Sequence, residues 1–188
     1  MQELAITDNH LGCIRTASGT TIDLRNPTVG MIKTEDIALG LSNICRFGGQ
    51  IQPFYSVLRH SILVMLLAPH SIWKAALLHD AAEAYLGDVV TPLKNILGAQ
   101  YRELEQRFMS TICMKYRLSQ WELDQVKEFD KKALLKEDEY LRKQNAAFEL
   151  EDGILKNLFT RYPEFKRTLL PNQPNWETIV FKELLKNA

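Results

Sequence analysis

Residues 77–94 read L-L-H-D-A-A-E-A-Y-L-G-D-V-V-T-P-L-K. The stretch sets His79, Asp80, Glu83 and Asp88 within ten residues, at what reads as a helix end running into a loop. At about 100° per residue, His79 and Glu83 share a helix face and Asp80 lies beside them. Their neighbours Ala76, Leu77, Ala81, Ala82 and Ala84 are small or apolar, so the polar groups belong to an otherwise buried segment. Burying several ionisable groups together is costly unless they are paired or bound to a metal. Gly87 suits a helix C-cap, and Pro92 is expected to keep the helix from resuming soon after.

Working outward, Tyr55 to Leu67 reads as a helix that is apolar on most sides, with His60 in its middle. Pro69 ends it, and Ser71 can cap the next helix, which carries Trp73 and leads into the quoted stretch. Two nearly uniformly apolar helices belong at the centre of a fold. Upstream, Thr34 reads as a cap, with Glu35 and Asp36 in the first turn and Ile37, Ala38, Leu41 and Ile44 at helical spacing. Gly48-Gly49 then opens a loop that can approach a ligand closely. β-Branched residues around Ser18-Gly19 suggest a short hairpin within residues 11–30, ended by Asn26-Pro27.

Downstream, residues 99–117 read as an amphipathic helix through Tyr101, Leu104, Phe108 and Ile112. Ser119 and Glu122 have capping-box spacing and open a long helix expected to reach about Phe148. After Pro163, Pro171 and Pro174, a tail helix is expected over about 175–187. The fold class expected is all-α, a helical bundle with a small N-terminal β element. The 188 residues read as one domain with its core at about 30–150.

Lys plus Arg equals Asp plus Glu at 23 each, so the formal net charge of zero gives no sign of a nucleic-acid or membrane-surface partner. Cys13, Cys45 and Cys113 are widely spaced and odd in number, which argues against a disulfide framework or zinc ribbon. The first residues show no basic region followed by an apolar core, and no apolar run reaches the roughly 20 residues needed to span a bilayer. A cytoplasmic location is therefore expected.

His60 and His79 lie on separate apolar helices, with Asp80 beside the second. Asp130 lies inside V-K-E-F-D-K-K-A-L-L, with Val126 and Leu134 four residues to either side. That places Asp130 close to a buried stripe, an unfavourable location for a lone carboxylate. Two imidazoles and two carboxylates make a mixed N/O set suited to Zn, Mn, Co or Fe(II).

The order H…HD…D, set in F-Y-S-V-L-R-H-S, the 77–94 stretch and V-K-E-F-D, resembles the HD-domain phosphohydrolase superfamily. L-S-N-I-C-R-F before the first His, with T-A-S-G, resembles its bacterial and phage deoxynucleotide phosphohydrolases. The resemblance covers roughly residues 15 to 140. It implies an HD-domain bundle in which His60, His79, Asp80 and Asp130 hold a divalent metal (Zn, Co or Mn), with additional Mg for the extra phosphates. It implies acid/base roles for Glu83 and Asp88, phosphate contacts from Arg46, Lys94 and Lys127, and base discrimination by Phe47, Gly49 and Pro92. The activity implied is that of a phage-type dATP triphosphohydrolase, giving deoxyadenosine and triphosphate in the host cytoplasm. A 5′-deoxynucleotidase releasing phosphate, or a non-catalytic nucleotide-binding module, are the alternatives. The partners implied are a deoxynucleotide, a purine dNTP above all, and further copies of the chain in a dimer or hexamer; neither nucleic acid nor membrane is expected.

Arg59 stands where family members often carry Glu before the first His, a departure from the pattern. Glu137, Asp138 and Glu139 read as a solvated helix face, and His10 and His70 receive no functional assignment.

Overall fold

The computed structural model describes residues 12–52, 54–141, 146–163, 165 and 176–187. Strands β1 (Cys13–Arg15) and β2 (Thr21–Asp23) pair antiparallel, with Ile14 opposite Ile22. Ile22 turns inward and is fully buried. Ser18 at the hairpin tip donates from its amide and hydroxyl to the Asp36 carboxylate at 2.8 and 2.7 Å. This ties the hairpin to the first turn of α1 (Thr34–Asn43). Thr34 is not the cap: Lys33 occupies that position in extended geometry with no side-chain bond, and the Thr34 hydroxyl instead pairs with the Tyr116 hydroxyl at 2.8 Å.

Helix α2 (Val57–Leu67) starts at Ser56, whose hydroxyl accepts from the Arg59 amide, one of the donors a helix start leaves unpaired. Residues 57, 58 and 60–66 are all buried, as expected of a helix enclosed on every side. A short 3-10 turn, His70–Ile72, leads into α3 (Trp73–Leu78), whose N-cap is Ile72 rather than Ser71. Then follow α4 (Glu83–Leu86), α5 (Thr91–Leu97) and α6 (Ala99–Tyr116). Pro92 does not hold off the next helix. It lies in the first turn of α5, where its missing N–H costs nothing and its fixed φ is already helical.

Helix α7 (Gln120–Leu141) opens on the expected capping box: the Ser119 amide donates to Glu122 Oε2 at 2.7 Å and the Glu122 amide to Ser119 Oγ at 3.2 Å. It is described as far as Leu141, and Phe148 falls in α8 (Ala146–Arg161); residues 142–145, across which the long helix was expected to continue, lie outside the described residues. The tail helix is α9 (Trp176–Asn187). Among the described residues the chain is thus mostly helical, with one two-stranded sheet.

Packing radiates from α2, which contacts α1, α3, α7, α8 and α9. Gly40 lets α1 approach α4: a Cβ there would come within 2.8 Å of the Ala84 carbonyl oxygen. Arg59 forms an ion pair with Glu177 and so docks α9 on α2. The three cysteines are free, and no helix among the described residues is long and apolar enough to cross a membrane.

Candidate metal centre

Three helices bring the predicted ligands together. His60 sits in the middle of α2 and is fully buried, His79 follows the last residue of α3, and Asp130 lies in the middle of α7. One ligand atom from each lies within 4.8 Å of the others. His60 Nε2 is 3.3 Å from His79 Nε2 and 3.1 Å from Asp130 Oδ1, and His79 Nε2 is 3.9 Å from that oxygen. Asp80 flanks this trio, its Oδ2 lying 3.2 Å from His79 Nε2 and 3.6 Å from His60 Nε2. Donors held about 2.0–2.2 Å from one cation stand roughly 3.0–3.5 Å apart in tetrahedral or octahedral geometry. Three of the separations fall in that range, while the His60–Asp80 and His79–Asp130 distances, 3.6 and 3.9 Å, are longer.

The protons support the same reading. His60 Nδ1 bonds to Glu137 Oε1 at 2.6 Å, and His79 Nδ1 bonds to the Ala76 carbonyl at 2.8 Å. Both partners are acceptors, so each Nδ1 carries the hydrogen and each Nε2 of a neutral ring presents a lone pair. Two such lone pairs converge with the Asp130 carboxylate, and Asp80 stands beside them. A divalent cation resolves that repulsion, so the donor set fits one. Where a proton takes its place, His60 holds it: burial and Arg46 work against the charged ring, but Glu137 and Asp130 outweigh them and raise its pKa to about 9. Asp80 and Asp130 are both kept ionised against burial, Asp80 mainly by His79 and Asp130 mainly by His60.

Between His79 and Glu83 the helix is not regular. Ala81 N donates to Leu78 O at 3.0 Å and Glu83 N to Asp80 O at 2.9 Å, the i to i+3 pattern of a tightened turn. Three residues per turn places Glu83 in line with Asp80, rather than with His79 as a continuous helix would have it. Glu83 is 7 % exposed, and its Oε2 is buried with no hydrogen-bond partner. Burial, then the negative charges of Asp80 and Asp88, push its carboxyl up to about 9, against Lys94 and Arg46. Asp88 is raised by burial too, with Arg46 and Lys94 opposing.

The expected cations divide. Arg46 is largely buried and reaches the centre: Nη2 donates to Glu137 Oε2 at 3.1 Å, and Nη1 lies 3.7 Å from Asp80 Oδ2. Lys94 Nζ bonds to Glu105 at 2.6 Å and stands 3.5 Å from Glu83 Oε1, at the edge of the cluster. Lys127 is not brought in; it is exposed and paired with Asp124 at 2.7 Å. Arg59 is engaged by Glu177.

After Arg46 the chain turns through three successive positive φ angles, 57° at Phe47, 61° at Gly48 and 74° at Gly49. For Phe47 that conformation costs of order 1–2 kcal/mol, strain that clusters at functional sites. The turn stacks Phe47 against the Arg46 guanidinium, 5.3 Å from ring centre to carbon, and brings Gly48 against Val90. Pro92 is exposed two residues beyond Val90.

Sequence reasoning missed Glu137. It is fully buried, not on a solvated face; only Asp138 and Glu139 are exposed. Spacing could have found it, since Val126, Asp130, Ala133 and Glu137 recur at 4, 3 and 4 residues along one face of α7. Leu134, four residues after Asp130, is 43 % exposed and lies off that stripe. His70 packs its ring on Trp73, and His10 lies outside the described residues.

The fold and site together define a mostly helical protein with a His/Asp cluster that could hold a metal ion. No family model matches the chain. Among curated proteins, the uncharacterized protein YfdR of Escherichia coli K12 is 45 % identical over 87 residues, 46 % of this chain and 48 % of YfdR. The uncharacterized protein RCAP_rcc00048 of Rhodobacter capsulatus is 41 % identical over 113 residues, 55 % of this chain and 58 % of its own length. The chain thus spans about half the length of these curated relatives.

Proposed function

We propose that this protein is a metal-dependent phosphohydrolase of the HD-domain type that cleaves a deoxynucleotide at its 5′-phosphoester. The observation that carries the reading is the pair of imidazole Nε2 atoms, 3.3 Å apart, facing Asp80 and Asp130, with an acceptor on each Nδ1. A divalent cation bound there supplies a Lewis acid for phosphoryl oxygens and lowers the pKa of water.

The chain's own groups supply the rest. Arg46 has a buried Nε without a hydrogen-bond partner, so its planar fork retains a donor for phosphate oxygens. Lys94 adds a second positive charge beside Glu83. Glu83, protonated at neutral pH, gives its proton to the departing 5′ oxygen. In the overall reaction the oxygen of water forms a new bond to the α-phosphorus, and the bond from that phosphorus to the 5′ oxygen breaks. The deoxynucleoside leaves with the Glu83 proton, and the proton that water loses on bonding to phosphorus returns to Glu83. From dATP, the substrate favoured by the resemblance of T-A-S-G (residues 16–19) and L-S-N-I-C-R-F (residues 41–47), the products are deoxyadenosine and triphosphate. From a deoxynucleoside monophosphate they are deoxynucleoside and phosphate.

The test is a panel of the four dNTPs and four dNMPs with cobalt, manganese or zinc, with products separated by chromatography. Deoxyadenosine and triphosphate formed preferentially from dATP support the full reading. Phosphate from dNMPs alone assigns the 5′-deoxynucleotidase reaction instead. No turnover of any nucleotide, in a chain that binds the cation, leaves a nucleotide-binding module and removes the hydrolase.

A further inference from the structure

We propose that Glu137 is a positioning residue whose two carboxylate oxygens set the metal ligand His60 and the phosphate-binding Arg46 at the same time. The inference rests on the hydrolase reading above and adds to it a residue outside the H…HD…D pattern.

Its basis is geometric. Glu137 is fully buried on α7, two helical turns beyond Asp130 and on the same face. Oε1 receives the His60 Nδ1 hydrogen at 2.6 Å, and Oε2 receives an Arg46 Nη2 hydrogen at 3.1 Å. The first bond decides which His60 nitrogen is free for the cation, because a ring protonated at Nδ1 presents its Nε2 lone pair to His79 and Asp130. The second keeps the guanidinium close to Asp80. A fully buried carboxylate is tolerated only with such charge-assisted partners, and Glu137 has one on each oxygen. One side chain thus sets both the metal-binding tautomer and the reach of the arginine.

Glutamine is close to a steric copy, but it offers one acceptor oxygen and one donor NH2. If its oxygen stays on Arg46, the NH2 faces His60 and forces the hydrogen to Nε2, where it blocks the cation. If its oxygen stays on His60, the NH2 faces Arg46 and displaces the guanidinium. Either outcome damages one of two separately measurable functions.

The experiment compares wild type, Glu137→Gln and Glu137→Asp. It measures cobalt(II) affinity by competition with a chelator, binding of inorganic triphosphate to the cobalt form, and the His60 tautomer by 15N NMR of the metal-free protein at a pH above about 9, where the ring is neutral. Glu137→Gln is expected either to lower cobalt affinity about 10–100-fold with His60 moved to the Nε2–H form, or to keep both and weaken triphosphate binding about tenfold. Glu137→Asp, which keeps the charge with a shorter reach, is expected to lose less of each, and it carries the test if the glutamine variant fails to fold. Folded variants with wild-type cobalt affinity, triphosphate affinity and tautomer overturn the proposal while leaving the hydrolase reading intact. A wild-type chain that binds no cobalt overturns both.

Discussion

His60 and His79 meet nitrogen to nitrogen, Nε2 to Nε2 at 3.3 Å, with each ring anchored through Nδ1 on an acceptor of a different kind. His60 leans on a carboxylate, Glu137, and His79 on the Ala76 main chain. A backbone carbonyl cannot be titrated away, so the fold itself holds the His79 ring with Nε2 toward His60. Its partner depends on a side chain.

The relationship predicts how stability varies with pH. His60, at about 9 against an ordinary 6.5, contributes stability that is complete below pH 6.5 and lost as pH rises through 9. Glu83, at about 9 against 4.5, is also better protonated in the folded state, so its burial weakens the fold progressively between pH 4.5 and 9. Both push the metal-free protein toward lower stability at alkaline pH. A cation displaces the proton on His60, so the stabilisation it gives is expected to grow between pH 6 and pH 9. Melting temperatures with chelator and with cobalt across that range check it; a cobalt effect that shrinks with pH contradicts it.

Glu83→Gln separates chemistry from metal binding. The amide fills the same space and cannot exchange a proton. Turnover is expected to fall by about 10²–10⁴ with bound metal unchanged. At pH 8–9 the metal-free variant is expected to melt higher than wild type, since the cost of ionising a buried carboxyl is gone. Metal analysis, turnover and a melting curve on one preparation decide it, and wild-type turnover in the variant removes Glu83 from the mechanism.

Gly40→Ala tests the contact that places α4. Alanine improves helix propensity by about 1 kcal/mol. The new Cβ would meet the Ala84 carbonyl at 2.8 Å, and overpacking against backbone costs typically 1–3 kcal/mol. The clash is expected to win by up to about 2 kcal/mol and to lower turnover, because α4 carries Glu83. An unchanged or raised melting temperature would show that α1 and α4 separate freely.

Arg59→Ala probes the tail helix. Glu177 is 6 % exposed in its side chain, so removing its cation leaves a buried charge. A loss of about 3 kcal/mol is expected, a fall of roughly 6–12 °C in a chain of this size, with cation binding retained. Arg59→Ala/Glu177→Gln should recover most of it. Loss of the cation in the single variant, with helicity intact, would instead place Arg59 in the centre's support.

How much of this the sequence carried depended on the range of each signal. The all-α class and the hairpin were legible because helical spacing in α2 and the β-branched residues around Ser18-Gly19 are local patterns. His60 and His79 were legible because each lies in or at the end of an apolar helix that does not tolerate a lone imidazole, whereas Asp130, 41 % exposed in its side chain, was legible only from its place beside Val126 and in the H…HD…D order. Pro92 misled because proline marks a helix start as readily as a stop, and only the position of Val90 decides which. Glu137 was lost inside an acidic triplet, where composition suggests solvent and only the stripe through Val126, Asp130 and Ala133 points inward. The Arg59–Glu177 pair spans 118 residues and left no trace in either neighbourhood.

Metal stoichiometry by mass spectrometry, on wild type and on His79→Ala purified side by side, bears most directly on the centre. One divalent cation per chain in the wild type, lost in a His79→Ala protein that keeps its helicity, is the expected result. A wild type free of metal after incubation with zinc, cobalt and manganese, or a variant that retains its full complement, would contradict it.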